Sequence, residues 1–218
     1  MNKSFMFIVL LIAVLQVGCT SSQLVDHWKN PDIRIFEAQK VLVIGITHEL
    51  DNRKVFERKL TAELKKKNVN AVKSLNFFEK FYTDSPKTEK ELMNLESMLL
   101  EEGFDAILLS KVLGVEDKVT VISATRNLDK TFRSFREDYY DNQHIYHDKN
   151  YYEGYQIFHA ETSLYCICPD KERELIWKGS IDVTEPENVK KAVGDYVKVL
   201  IWALQEQQLL IVNKKTDR

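Results

Sequence analysis

The residues best equipped for chemistry by type and spacing fall in one short stretch, His144-Ile145-Tyr146-His147-Asp148. Two imidazoles three apart on a helical turn, with a carboxylate beside the second, are ligands a divalent metal could use. No further ligand is identifiable around His144, His147 and Asp148, so the plainer expectation is a polar loop and no metal. His159 and Glu161 share one face of a strand and could form a hydrogen-bonded pair; a solvated strand face is expected instead. Cys166 and Cys168 also lie two apart, on the apolar parity of the same strand. An oxidising compartment would invite a disulfide, but so small a ring strains an extended backbone. The expectation is two buried thiols serving as small hydrophobes, rather than a disulfide or a metal pair.

Other catalytic signatures are missing. The closest pair of the seven glycines, Gly103 and Gly114, is eleven apart, whereas a phosphate-cradling loop or a dinucleotide fingerprint needs glycines within a few residues. There is no Gly-x-Ser-x-Gly elbow, and His48-Glu49 lacks the second histidine of a zinc-protease helix. No cofactor is expected.

A different chemistry is written at the amino terminus. Lys3 is followed by a nearly unbroken apolar run from Phe5 to Val17, ending at Gly18-Cys19. About 13 apolar residues are too few for the roughly 20 of a permanent bilayer span, and suit a cleavable secretion leader. Gln16-Val17-Gly18-Cys19 resembles the bacterial lipobox, with Leu15 one residue further back than usual. In that setting the Cys19 thiol takes a diacylglyceryl group as a thioether, and two or more acyl chains hold a protein firmly to a membrane. The expected division is a leader over 1–18, a lipidated tether and lead-in over 19–39, one domain over 40–211 and a frayed tail over 212–218. Thr20 after the cysteine, rather than Asp, fits sorting to the outer membrane, facing the periplasm.

Without the leader's Lys3, 30 basic residues stand against 33 acidic ones. That balance gives no electrostatic footprint for nucleic acid and no basic face for anionic lipid. A hydrophobic content of 44% is enough to fill a core.

The elements that must position these residues follow from periodicity. Leu24 to Glu37 reads as an extended lead-in packed across the domain. Lys40 to Ile46 is a strand buried on both faces. Asn52 to Lys67 is a helix with Phe56, Leu60 and Leu64 on one stripe and lysines at its negative end. Val69 to Leu75 is a short strand. Ser85-Pro86 reads as a helix start for Leu92, Leu95 and Leu99, ending at Gly103, and Phe104 to Leu113 is a third strand. Tyr155 to Cys168 and Glu174 to Thr184 form a hairpin. From Pro186 a helix carries Val189, Val193, Tyr196, Leu200, Ala203 and Gln207. The predicted fold class is α/β (α+β). It is a single mixed sheet, β-α-β-α-β, followed by an antiparallel hairpin and a C-terminal helix packed on the sheet. Trp28, Trp177 and Trp202 are expected in packing roles.

One segment, 124–154, has no clean period. It is dense in charge and tyrosine and poor in aliphatic residues, so it is expected to add little to a core. Irregular stretches of this length inside domains are functional or disordered. Arg133, Arg136, Tyr139, Tyr140, Tyr146, Tyr151 and Tyr152 are its candidate partner-binding residues, of types enriched at interfaces.

Several of these words of sequence carry a resemblance. They are the Cys-Thr-Ser-Ser start, Val25-Asp26-His27-Trp28-Lys29-Asn30-Pro31, the Lys40 to Ile46 strand, Phe104-Asp105-Ala106-Ile107-Leu108 and Leu175-Ile176-Trp177-Lys178-Gly179. Together with the tyrosine-rich segment, they are similar to a group of uncharacterised bacterial envelope lipoproteins. The order of elements resembles the α/β domain of curli-secretion lipoproteins, of the lipoproteins that activate penicillin-binding proteins, and of the amino-terminal TolB domain. The resemblance implies an assembly or interaction role with an envelope protein partner, and it brings no catalytic residues. The alternative is an envelope hydrolase or metal-dependent enzyme with a site built from scattered residues. A deep pocket with convergent polar groups would favour the enzyme.

Overall fold

The computed structural model describes residues 22–78, 85–116, 134–147, 157–168, 174–184 and 188–211. The chain enters the sheet at once. Ser22–Lys29 (β1) pairs antiparallel with the last strand, so the lead-in is itself the sheet's edge rather than a segment lying across it.

Val41–Ile46 (β2) is buried at all six positions. Leu50–Lys66 (α1) then leads to Ala71–Lys73 (β3), which runs parallel to β2. A single helical turn, Ser74–Phe77 (α2), follows. Glu89–Glu101 (α3) starts at Thr88 and not at Ser85-Pro86. The Thr88 side chain accepts from the Glu91 N–H while the Glu91 carboxylate accepts from the Thr88 N–H, a reciprocal cap that satisfies two otherwise orphaned donors. The helix stops where Gly103 adopts φ +79°, a left-handed conformation that favours glycine.

Ala106–Glu116 (β4) runs parallel to β2 on the side opposite β3. Phe135–Asn142 (α4) continues into a 3-10 turn, Gln143–Tyr146. Ile157–Cys166 (β5) and Glu174–Thr184 (β6) form the expected hairpin, and Val189–Glu206 (α5) closes the described fold. The sheet order is β1-β6-β5-β4-β2-β3. Among the described residues no helix is long and apolar enough to cross a membrane.

Strand alternation divides the core into two. Val41, Val43, Leu108, Leu164 and Ile181 face α1 and α5, meeting Phe56, Leu60, Leu64, Tyr196, Leu200 and Leu204. Leu42, Ile44, Ile46, Ile107 and Leu109 face α3 and α4, meeting Leu92, Leu95, Leu99, Phe135 and Tyr139. The stripe of α5 keeps Tyr196, Leu200 and Ala203 from the predicted one and differs around them. Ala192, Val197 and Leu204 are buried, while Val189 is 40% exposed and Trp202, expected to pack, is 56% exposed.

Two further expectations are corrected. Phe135, Tyr139 and Ile145 are buried in the second core layer, so the segment judged too poor in aliphatics does contribute to the core. Two aromatic rings and the single isoleucine supply that burial. Cys166 and Cys168 are joined by a disulfide, with Cα atoms 5.3 Å apart, inside the usual bridging range. The ring closes because β5 ends at Cys166. Past it the backbone is released from strand geometry, and the Cys168 N–H can turn back to lie 3.2 Å from the Cys166 sulfur.

Candidate functional site

In this sheet the connection from β2 leaves to β3 by way of α1 on one face. The chain returns by α3 on the other face, to β4 on β2's other flank. Such a reversal opens a crevice outside the carboxyl ends of the strands, where α/β sheets bind ligands. A cavity of about 380 Å³ lies there, on the α1 and α5 side. Its walls are Phe56, Val112, Phe158, Ala160, Val183 and Ala192, with Thr47, His48, Glu49 and Asn52 contributed where β2 turns into α1.

Three hydroxyls at the cavity are bonded to one another. Ser110 Oγ lies 2.7 Å from Thr162 Oγ1, which lies 2.5 Å from the Tyr196 hydroxyl. Burial pushes the Tyr196 phenol up to about 12, so it stays protonated at neutral pH. A serine whose immediate partner is another hydroxyl has no base to activate it. The cluster can donate and accept hydrogen bonds, but it is not arranged for nucleophilic attack.

A buried carboxylate holds the rim. Glu57 Oε1 accepts from the Gly45 N–H at 3.1 Å, Arg53 Nε at 2.9 Å and Ser74 Oγ at 2.6 Å; its Oε2 accepts from the Leu75 N–H at 3.0 Å. These bonds fix α1 against the end of β2. Gly45 is required here, because a Cβ would come 2.8 Å from the Phe56 ring that forms the cavity wall.

The opposite face of the same strands carries a charge network. Lys111, Glu161 and Lys178 project from β4, β5 and β6. Lys111 Nζ is 3.0 Å and Lys178 Nζ 3.3 Å from Glu161 Oε1. Asp138, from α4, bonds both Lys111 and the Tyr165 hydroxyl. All four charged side chains are buried, and two positive charges balance two negative ones, as interior charges require. The Glu161 face is therefore an internal ion cluster, not the solvated strand face expected. His159 Nδ1 meets Asp182 Oδ1 at 2.7 Å.

No protein-family model matches this chain, and no curated protein matches it. Among solved structures it is similar to the PelC dodecamer from Paraburkholderia phytofirmans. The identity is 11%, the match covers 88% of this chain and 99% of that one, and the TM-score is 0.45. A point variant of that protein gives 10% identity, the same coverage and a TM-score of 0.44. These comparisons add nothing to the likeness to curli-secretion lipoproteins, penicillin-binding-protein activators or TolB.

The residues expected to bind a partner are dispersed. Tyr139 is buried against Phe135, with ring centroids 5.7 Å apart. Tyr146 lies over Arg53, 5.2 Å from ring centroid to guanidinium carbon, and donates its hydroxyl to the Gly45 carbonyl at 3.4 Å. It therefore braces the cavity rim from the other face. Tyr140 is 52% exposed and Arg136 half-buried, 3.7 Å from Glu89. Arg133, Tyr151, Tyr152, Asp148 and Cys19 lie outside the described residues. His144 and His147 are exposed, and His144 Nδ1 lies 2.8 Å from the Asp141 carbonyl. Among the described residues no three His, Cys, Asp or Glu side chains are grouped for a metal ion.

Sequence reasoning missed Lys111, Asp138, Lys178 and the cavity. One signal was available: Lys111 follows Ile107 and Leu109 on the parity of a buried strand, where a charge must find a partner.

Proposed function

We propose that this chain is a lipid-anchored protein of the cell envelope whose domain binds rather than catalyses. The observation that carries the reading is the cavity at the carboxyl ends of β2 and β4, apolar in its walls and with its hydroxyls bonded to one another. Such a site gains affinity by burying apolar surface and uses a few polar groups for orientation. The anchor is Cys19, and the location is the outer membrane facing the periplasm, supported by the leader and by Thr20. An envelope protein partner is engaged by the outer side of α4, where Tyr140 and Arg136 combine contact area with hydrogen bonding; Arg133, Tyr151 and Tyr152, outside the described residues, are further candidates by residue type.

Labelled palmitate given to expressing cells tests the anchor. The natural chain should acquire label and sediment with membranes, and Cys19→Ala should remain an unlabelled precursor; label on the variant would refute the reading. Mild crosslinking and co-purification test the partner. Tyr140→Ala with Arg136→Ala should reduce recovery of a partner captured by the natural chain. Undiminished recovery would place the interaction surface elsewhere.

A further inference from the structure

The cavity and the start of β1 lie at the same end of the sheet. Ser22, the first residue of β1, is the cross-strand neighbour of Val183, a wall residue of the cavity. Cys19 precedes Ser22 by three residues, which span at most about 11 Å of extended chain. The cavity is lined by the first residues of both flanking helices, Glu49 and Asn52 at the start of α1 and Val189 at the start of α5. A domain tethered this closely through Ser22 is held with this end near the membrane surface.

We infer that the cavity takes up an acyl chain of a membrane lipid, with the headgroup left at the rim beside Thr47, His48 and Asn52. The inference rests on Cys19 being the anchor. Apolar walls formed by Phe56, Val112, Phe158, Ala160 and Ala192 match a hydrocarbon chain, and the Ser110–Thr162–Tyr196 hydroxyls are bonded to one another, so an apolar occupant leaves none of them stranded. The source is a neighbouring lipid rather than the chain's own modification. Firm anchoring needs two or more acyl chains in the bilayer, and withdrawing one into the protein would weaken it, whereas a free lipid leaves the anchor intact.

The probe is a phosphatidylcholine carrying a photoreactive diazirine on one acyl chain, in vesicles of phosphatidylethanolamine and phosphatidylglycerol that hold the lipidated full-length protein. Photolysis should give adducts in peptides spanning 45–52 and 189–196. Ala192→Phe, which narrows the cavity, should lower them several-fold. Val193→Glu, at a half-buried position lining the cavity, is the second variant should the first fail to fold, and should act alike. Adducts confined to other peptides, or unchanged in a folded variant, overturn the inference. Protein from cells fed a diazirine fatty acid carries the label on Cys19 instead; adducts in the same peptides would then identify the protein's own chain as the occupant and overturn the assigned source. Acylation of Cys19 without cavity labelling overturns the acyl-chain assignment and leaves the anchor. Cavity labelling from detergent micelles in a chain unacylated at Cys19 overturns the anchor and leaves the acyl-chain assignment.

Discussion

Val183 and Ser22 are cross-strand partners, one in the wall of the cavity and the other at the start of the edge strand. Through them the start of β1 and the cavity end of the sheet become one place. The far end is marked as clearly. Lys29, where β1 finishes, is paired with Trp177, and its Nζ donates to the Gln207 carbonyl at 2.7 Å. Trp28, Trp177 and Trp202 all belong to that far half.

The ion cluster sets the first prediction. Burial alone would raise the Asp138 carboxyl, but the Lys111 charge and the hydrogen bonds from Lys111 and Tyr165 outweigh it and hold the group below the usual carboxylate range. A carboxylate depressed by folding stabilises the fold above its unfolded value of about 3.9 and loses that contribution as pH falls through the folded value. Burial opposes the Lys111 charge, yet Asp138 and Glu161 raise its pKa. Its contribution is complete below the unfolded value of about 10.4 and is lost as pH rises through the folded one. Denaturant midpoints should be level near neutrality and fall at both extremes. Asp138→Ala leaves Lys111 and Lys178 sharing the single carboxylate of Glu161 and should lose about 3–5 kcal/mol at neutral pH, with a flatter acid limb.

A second prediction concerns the segment rich in tyrosine and arginine. Phe135 and Ile145 are fully buried, so Phe135→Ala should destabilise by about 3–5 kcal/mol. Excising 124–154 should abolish cooperative unfolding. A deletion that unfolds cooperatively at the natural midpoint would show that α4 packs without stabilising the fold.

Gly179 lies under the Trp177 ring, which a Cβ would overlap. Trp177 is fully buried and has no room to withdraw. Gly179→Ala should therefore cost about 1–3 kcal/mol through overpacking, read as a lower denaturant midpoint with an unchanged slope.

For the disulfide, alkylation of the unfolded, unreduced chain should leave Cys166 and Cys168 unmodified, and reduction should make both available. The loop they close is very short, so chain entropy gives a stabilisation of only about 1–2 kcal/mol. Replacing both by Ala should cost no more than that.

Much of the sheet was legible because its signals are local. The unbroken apolar run of β2, the alternation along β5 and the four-residue spacing in α1 each dictate an element without reference to the rest of the chain. What was hidden depends on register. Lys111 meets Glu161 only because β4 and β5 pair as they do, and Asp138 meets Lys111 only when α4 is laid across them. Glu161 looked like solvated surface because its partners Lys111 and Lys178 are remote in sequence, on other strands of the sheet. The start of α3 was misplaced for a local reason: Ser85-Pro86 mimics a cap, but the reciprocal Thr88–Glu91 pair satisfies two donors. The cysteine pair was misread because the strand was assumed to run through Cys168, whereas it ends at Cys166.

If the cavity end of the domain faces the membrane, as proposed, lipid will quench a tryptophan placed there and spare those at the other end. Val189 lines the cavity and is 40% exposed, so Val189→Trp places an indole at the rim without filling the core. The lipidated natural protein and the variant would be reconstituted in vesicles whose lipids carry bromine near the headgroup end of their acyl chains. The natural tryptophans, on the ends of β1, β6 and α5 away from the cavity, should be quenched little, and the added indole strongly. Equal quenching of the two proteins, or strong quenching of the natural tryptophans, would show that the cavity end does not face the membrane.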